Sequence, residues 1–129
     1  MPKLPIISIY HNPSLVVSKE ALKLLKAASN KHKFKVDLIQ AKSIPPTPQQ
    51  ILNMVHYLGN GSLKRGITDI LVPEAPKAST IEEVQKILSE KPAFLRKPLI
   101  VDWSRGKAII ADPAIKVKEF VQVEGDDTK

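Results

Sequence analysis

Apolar residues crowd positions 4–10, Leu-Pro-Ile-Ile-Ser-Ile-Tyr, and the run predicts a first strand buried on both faces. A Pro-marked turn follows, and Ser18 reads as the N-cap of a helix to about Ala28 with Leu22, Leu25 and Ala28 on one side. Residues 34–40 alternate apolar and polar through Leu38, which predicts a half-exposed second strand. Ile44-Pro45-Pro46 forces an extended connection. Thr47-Pro48-Gln49-Gln50 then carries a capping box with Pro at the first helical position. That helix buries Ile51, Met54, Val55 and Leu58, and Gly59 ends it.

Residues 60–79 mix Gly, Pro and small residues around Ile70-Leu71-Val72 and read as irregular. Thr80-Ile81-Glu82-Glu83 is a second capping box, opening a helix that turns Ile81, Val84, Ile87 and Leu88 inward. Leu99–Val101 and Lys107–Ala111 read as strands joined by a hairpin turn over residues 102–106. Asp112-Pro113 is expected to cap a last helix that buries Val117, Phe120 and Val121, and Gly125 onward reads as a polar tail.

The opening β-α-β unit must be parallel and right-handed, and the closing hairpin adds antiparallel strands to the same sheet. The expected class is therefore α/β, thioredoxin-like, in the order β-α-β-α(α)-β-β-α, with a mixed four-stranded sheet flanked by helices. One domain is expected over residues 1–124, with an irregular insert at 60–79 and a polar tail at 125–129.

Composition narrows the chemistry. The chain has 129 residues, 43% apolar and 26% charged, which suits one globular domain. No run approaches the apolar length of a membrane span, and Pro2-Lys3 leads into the first strand without a signal-peptide pattern. With no cysteine, the chain supports neither disulfides, nor thiolate catalysis, nor Cys-ligated metal. The net charge of +7 suits anionic company. The excess sits early: Lys3, Lys19, Lys23, Lys26, Lys31, Lys33 and Lys35 face only Glu20 and Asp37 within residues 1–40.

Several motifs together carry a resemblance. Ile9-Tyr10-His11-Asn12-Pro13 with Ser18, Pro45-Pro46-Thr47, and Leu95-Arg96-Lys97-Pro98-Leu99-Ile100-Val101 resemble glutaredoxin-type arsenate reductases. A closer resemblance is to a family of small fungal mitochondrial redox proteins with a thioredoxin fold. His11-Asn12-Pro13-Ser14, Pro45-Pro46-Thr47-Pro48, Tyr57-Leu58-Gly59, Lys97–Trp103 and Gly106-Lys107-Ala108 carry it, over about residues 6–121. The resemblance implies a cis peptide bond before Pro98 and a mitochondrial address. It also locates the departures. Counted from Asn12-Pro13, the arsenate-reductase cysteine falls on Leu15; Lys97 matches one basic oxyanion ligand, and a later arginine of that set falls on Asp112.

The candidate site is thus the vestigial loop of Asn12, Ser14, Leu15, Val16, Val17 and Ser18 together with Lys97 and Pro98. A helix N-terminus favours an anion there, but branched Val16 and Val17 and the lack of glycine hinder close backbone approach. Filling of the vacated site or apolar contact with a partner is the better reading of Leu15–Val17. Lys19, Lys23 and Lys26 recur at helical spacing and form a basic face that could also meet RNA phosphates. Stacking aromatics for nucleic acid are scarce, at 5% of the chain.

His11, His32 and His56 show no ligand spacing, so no metal and no cofactor is expected, and no serine has a recognisable His and acid at catalytic spacing. Asp102-Trp103 reads as a turn acid beside a sheet-edge indole. The expected function is a non-catalytic binding or structural module with a protein partner or a larger mitochondrial assembly. The alternatives are an oxidoreductase-like enzyme handling a small molecule or oxyanion, and a basic subunit of a mitochondrial ribosome or respiratory complex.

Overall fold

The computed structural model describes residues 5–32, 34–39 and 46–126. Strand β1 (Ile6–Tyr10) pairs in parallel with β2 (Lys35–Ile39) and antiparallel with β3 (Leu99–Asp102). With β4 (Lys107–Ile110) the mixed sheet has the order β2-β1-β3-β4. Leu4, the expected start of β1, lies outside the described residues, as do the Ile44-Pro45 half of the extended connection and Lys33. The chain forms two compact units, each with its own packing.

The first unit comprises residues 1–40, 97–105 and 109–129. Alternation along β1 sends Ile7 and Ile9 to one face, where Ile100, the register partner of Ile9, joins them. Helices α1 (Val16–His32) and α5 (Lys116–Asp126) cover that face with Ala21, Leu25, Val117, Phe120 and Val121. Full burial of a side chain such as Leu25 stabilises the fold by about 1.5–3 kcal/mol. On the other face of β1, the Ser8 hydroxyl accepts from Trp103 Nε1 at 2.8 Å and donates to Asp37 Oδ2 at 3.2 Å.

The second unit comprises residues 41–96 and 106–108. Both expected capping boxes are present: Thr47 with Gln50 opens α2 (Pro48–Gly59), and Thr80 with Glu83 opens α4 (Ile81–Glu90). The expected irregular stretch 60–79 contains a helix, α3 (Leu63–Ile70), whose N-cap Ser62 accepts from the Arg65 amide at 3.3 Å. Gly66 sits mid-helix, where intrinsic propensity disfavours it. Its role is packing, because a Cβ there would run into the Val55 carbonyl oxygen of α2. Leu71 then bridges Leu95 in antiparallel fashion, and a 3-10 turn (Pro92–Phe94) precedes it.

α2 ends at Gly59 as expected, with Asn60 as its C-cap in the left-handed region at φ 46°. Three other boundaries differ from expectation. α1 begins two residues before Ser18 and continues to His32. Asp112-Pro113 does not cap the last helix: its peptide bond is cis, the next turns are closed by Lys116 N–H to Pro113 and Val117 N–H to Ala114, and α5 starts at Lys116. α5 runs through Gly125 to Asp126, so only residues 127–129 of the expected tail are left, and they lie outside the described residues.

Candidate active site vestige at the start of α1

β1 leaves the sheet at Tyr10 opposite Leu99, so His11 exits and Pro98 enters at the same end of the sheet. The Lys97-Pro98 bond is cis, and the Pro98 carbonyl accepts from the Ala111 amide at 3.0 Å. This end therefore gathers the loop 11–18 and the Lys97-Pro98 pair. Both belong to the first unit.

The loop is held by its own polar atoms. His11 N–H donates to the Ile39 carbonyl at 2.8 Å. Ser14 N–H donates to Asn12 Oδ1 at 2.9 Å, and Leu15 N–H donates to the Asn12 carbonyl at 3.0 Å, which together make an Asx-type turn. Ser18 lies within the first turn of α1, fully buried, and does not serve as its N-cap. Its Oγ accepts from the Asn12 amide at 3.0 Å and lies 2.6 Å from His11 Nδ1. Ser18 thereby ties the loop to the first turn of the helix.

The structure pairs Ser18 with His11, a contact that the sequence reading did not single out. Only 5% of the His11 surface is exposed, and burial, then the charges of Lys19 and Lys26, hold its imidazole below the ordinary histidine pKa, against a hydrogen bond to Ser18. Depending on its tautomer, a neutral imidazole donates Nδ1–H to Ser18 Oγ or accepts the Ser18 proton at Nδ1. The second arrangement could activate a hydroxyl in an open site. Here Ser18 has no exposed surface, so no substrate carbon can reach it. The signal available in sequence was a serine seven residues after a histidine, across an Asn-Pro turn, and it names no geometry by itself.

The remaining candidate residues take distinct positions. Val16 is 69% exposed and Leu15 39%, whereas Val17 packs against the core of the first unit. Asn12 is half-buried and Ser14 exposed. Lys19, Lys23 and Lys26 all lie exposed on α1. Lys97 is half-buried, and burial lowers the pKa of its amine. Tyr10, next to this end in β1, is buried, and its hydroxyl has no partner among the described residues. Burial, then Asp37, pushes its pKa up to about 12, so it stays a neutral phenol.

Asp102 closes β3 as a buried residue; its Oδ1 accepts from the Ser104 amide at 3.1 Å, the Ser104 hydroxyl at 3.2 Å and the Arg105 amide at 3.3 Å. Its work is to shape the turn. Among the described residues, no three His, Cys, Asp or Glu side chains gather as metal ligands, and no helix is long and apolar enough to cross a membrane.

A family model described as "Protein of unknown function (DUF1687)" matches residues 1–112. No curated protein matches the chain. Among solved structures, arsenate reductase from Vibrio cholerae is similar, with a TM-score of 0.70 at 18% identity over 91% of this chain and 98% of that one. A Yersinia pestis protein provisionally named an arsenate reductase gives 0.69 at 20% identity, over 88% and 98%. A Streptococcus mutans protein, named as a possible arsenate reductase, gives 0.54 at 17%, over 81% and 88%. These identities speak for the fold alone. The chain has the mixed four-stranded, thioredoxin-like α/β fold of arsenate-reductase-like proteins.

Proposed function

We propose a non-catalytic binding role for this chain, which belongs to the matched family of proteins of unknown function. In this reading the start of α1 docks a protein partner, with Leu15 and Val16 as the apolar contacts and Lys19, Lys23 and Lys26 as a basic surround. The observation that carries it is the pairing at one joint of an exposed Val16 with a fully buried Ser18. The apolar side chains face outward, where they can be covered. The Ser18 hydroxyl, paired with His11, ties the loop to the helix.

Thiol chemistry has no agent in this chain. Reduction of a disulfide or arsenate through a thiol requires an attacking thiolate, and the sequence contains no cysteine. Contact with RNA phosphates through the lysine face, membership of a larger assembly and a mitochondrial address extend the same proposal, on the strength of charge and the family resemblance.

The test places a photo-crosslinking residue at position 16 in the native host and compares it with Val16→Asp. The expected result is one dominant crosslinked partner, and loss of that partner on co-purification of Val16→Asp, with an unchanged thermal transition. Catalytic arsenate or disulfide reduction by the purified chain would overturn the reading. So would a Val16→Asp protein that keeps every partner of the wild type.

A further inference from the structure

The second unit holds a cavity of about 570 Å³ between the end of α3 and the turn before α4. That volume falls within the usual range of small-molecule sites. Its wall is mostly apolar, with Ile67, Leu71, Val72 and Pro76 among the lining residues. Two cations also line it, Arg96 and Lys77, and no acid does.

Arg96 is half-buried and held in place. Its Nε–H donates to the Asp69 carbonyl at 2.9 Å, its Nη2 donates to the Leu71 carbonyl at 2.9 Å, and its own amide donates to Ile70 at 2.9 Å. Those bonds cap the C-terminal carbonyls of α3, where a cation is favoured. A guanidinium has five N–H groups, so three are left without a partner among the described residues, and no carboxylate there pairs with it. Such a cation is pre-oriented for a planar, bidentate anion.

The neighbouring helix start argues against a dianionic phosphate. At α4, Glu83 Oε1 accepts from the amides of Ser79 at 2.7 Å and Thr80 at 3.1 Å, while Thr80 Oγ1 accepts from the Glu83 amide at 3.2 Å. Those amides are already satisfied by a carboxylate, whose charge repels a second anion of high charge. A monoanion reaching Arg96 from the apolar side avoids that conflict.

We propose that this cavity is a binding site for a small organic carboxylate with an aliphatic body, its head on Arg96 and its body on Leu71, Val72 and Pro76. The site is independent of the docking role assigned to the start of α1. It lies wholly within the second unit.

Sodium decanoate, kept below its micelle concentration, is the probe, titrated into the full chain and followed by amide chemical shifts. Decanol and acetate are the controls. Decanoate is expected to give saturable shifts centred on Leu71, Val72 and Ser79. Decanol, without the charge, is expected to bind about tenfold more weakly. Acetate, without the body, is expected to leave the shifts unchanged at the same concentration.

Arg96→Gln should weaken decanoate about tenfold, with Arg96→Lys recovering only part of the loss. Because Arg96 also holds the end of α3, Ala78→Phe provides a second variant that fills the cavity without removing those bonds. It should abolish binding while leaving the circular dichroism spectrum unchanged. Absence of saturable decanoate shifts, shifts centred elsewhere, or undiminished binding by folded Ala78→Phe overturns the site. Equal affinity for decanol overturns the carboxylate assignment.

Discussion

The starts of α1 and α4 show two ways of satisfying a helix N-terminus. At α4 the partners are local: Thr80 and Glu83 bond each other's backbone amides within four residues, at the surface. At α1 the serine that resembles a cap is buried inside the first turn and serves His11 and Asn12 instead. Leu15 and Val16 are among the exposed positions there. One helix end is self-sufficient. The other anchors a loop and presents apolar surface, an arrangement suited to contact.

Removing each anchor breaks the contrast in a measurable order. Ser18→Ala should cost about 1–3 kcal/mol in urea unfolding, because the Asn12 amide and His11 Nδ1 lose their shared partner in the interior. Thr80→Ala, at an exposed cap, should cost about 1 kcal/mol, and Thr47→Ala a similar amount.

The smallest effect is one of pH. The folded His11 imidazole binds its proton more weakly than the unfolded chain does, whose ordinary value is 6.5. The unfolded state therefore takes up the proton first as pH falls. Stability attributable to His11 is complete above pH 6.5 and declines below it, toward the lower folded value. Unfolding midpoints measured on either side of 6.5 should converge when His11 is replaced by Gln, while Thr80→Ala should keep the wild-type slope.

The same two helix ends mark how far sequence could be read. Capping boxes at Thr47 and Thr80 were legible because every partner lies within three residues. The β1 core was legible through its apolar run, and the Val117–Phe120–Val121 stripe of α5 through its helical period. Ser18 misled because its chemistry suits a cap, yet its hydroxyl meets His11 across a turn. α3 was hidden for a related reason: Gly66 reads as a breaker until the Val55 carbonyl of α2 demands the missing Cβ. Asp102 looked like a turn residue and is a strand end that shapes the turn.

Of the candidate site, sequence placed Asn12–Ser18 and Lys97-Pro98 in separate segments. The register of Tyr10 with Leu99 brought them to one end of the sheet. Arg96 shows the gap most clearly, since the carbonyls it holds lie 25 and 27 residues away, at Leu71 and Asp69.

Sequence by itself determined the order of strands and helices apart from α3, the capped starts of α2 and α4, the absence of a thiol and the basic face of α1. Those properties depend on composition or on neighbours within a few positions. Tertiary structure alone decided that Ser18 pairs with His11, that Gly66 packs on Val55, and that Arg96 lines a cavity free of acids. Each of these requires groups distant along the chain to meet, and no local periodicity encodes which of them will satisfy a given buried polar atom.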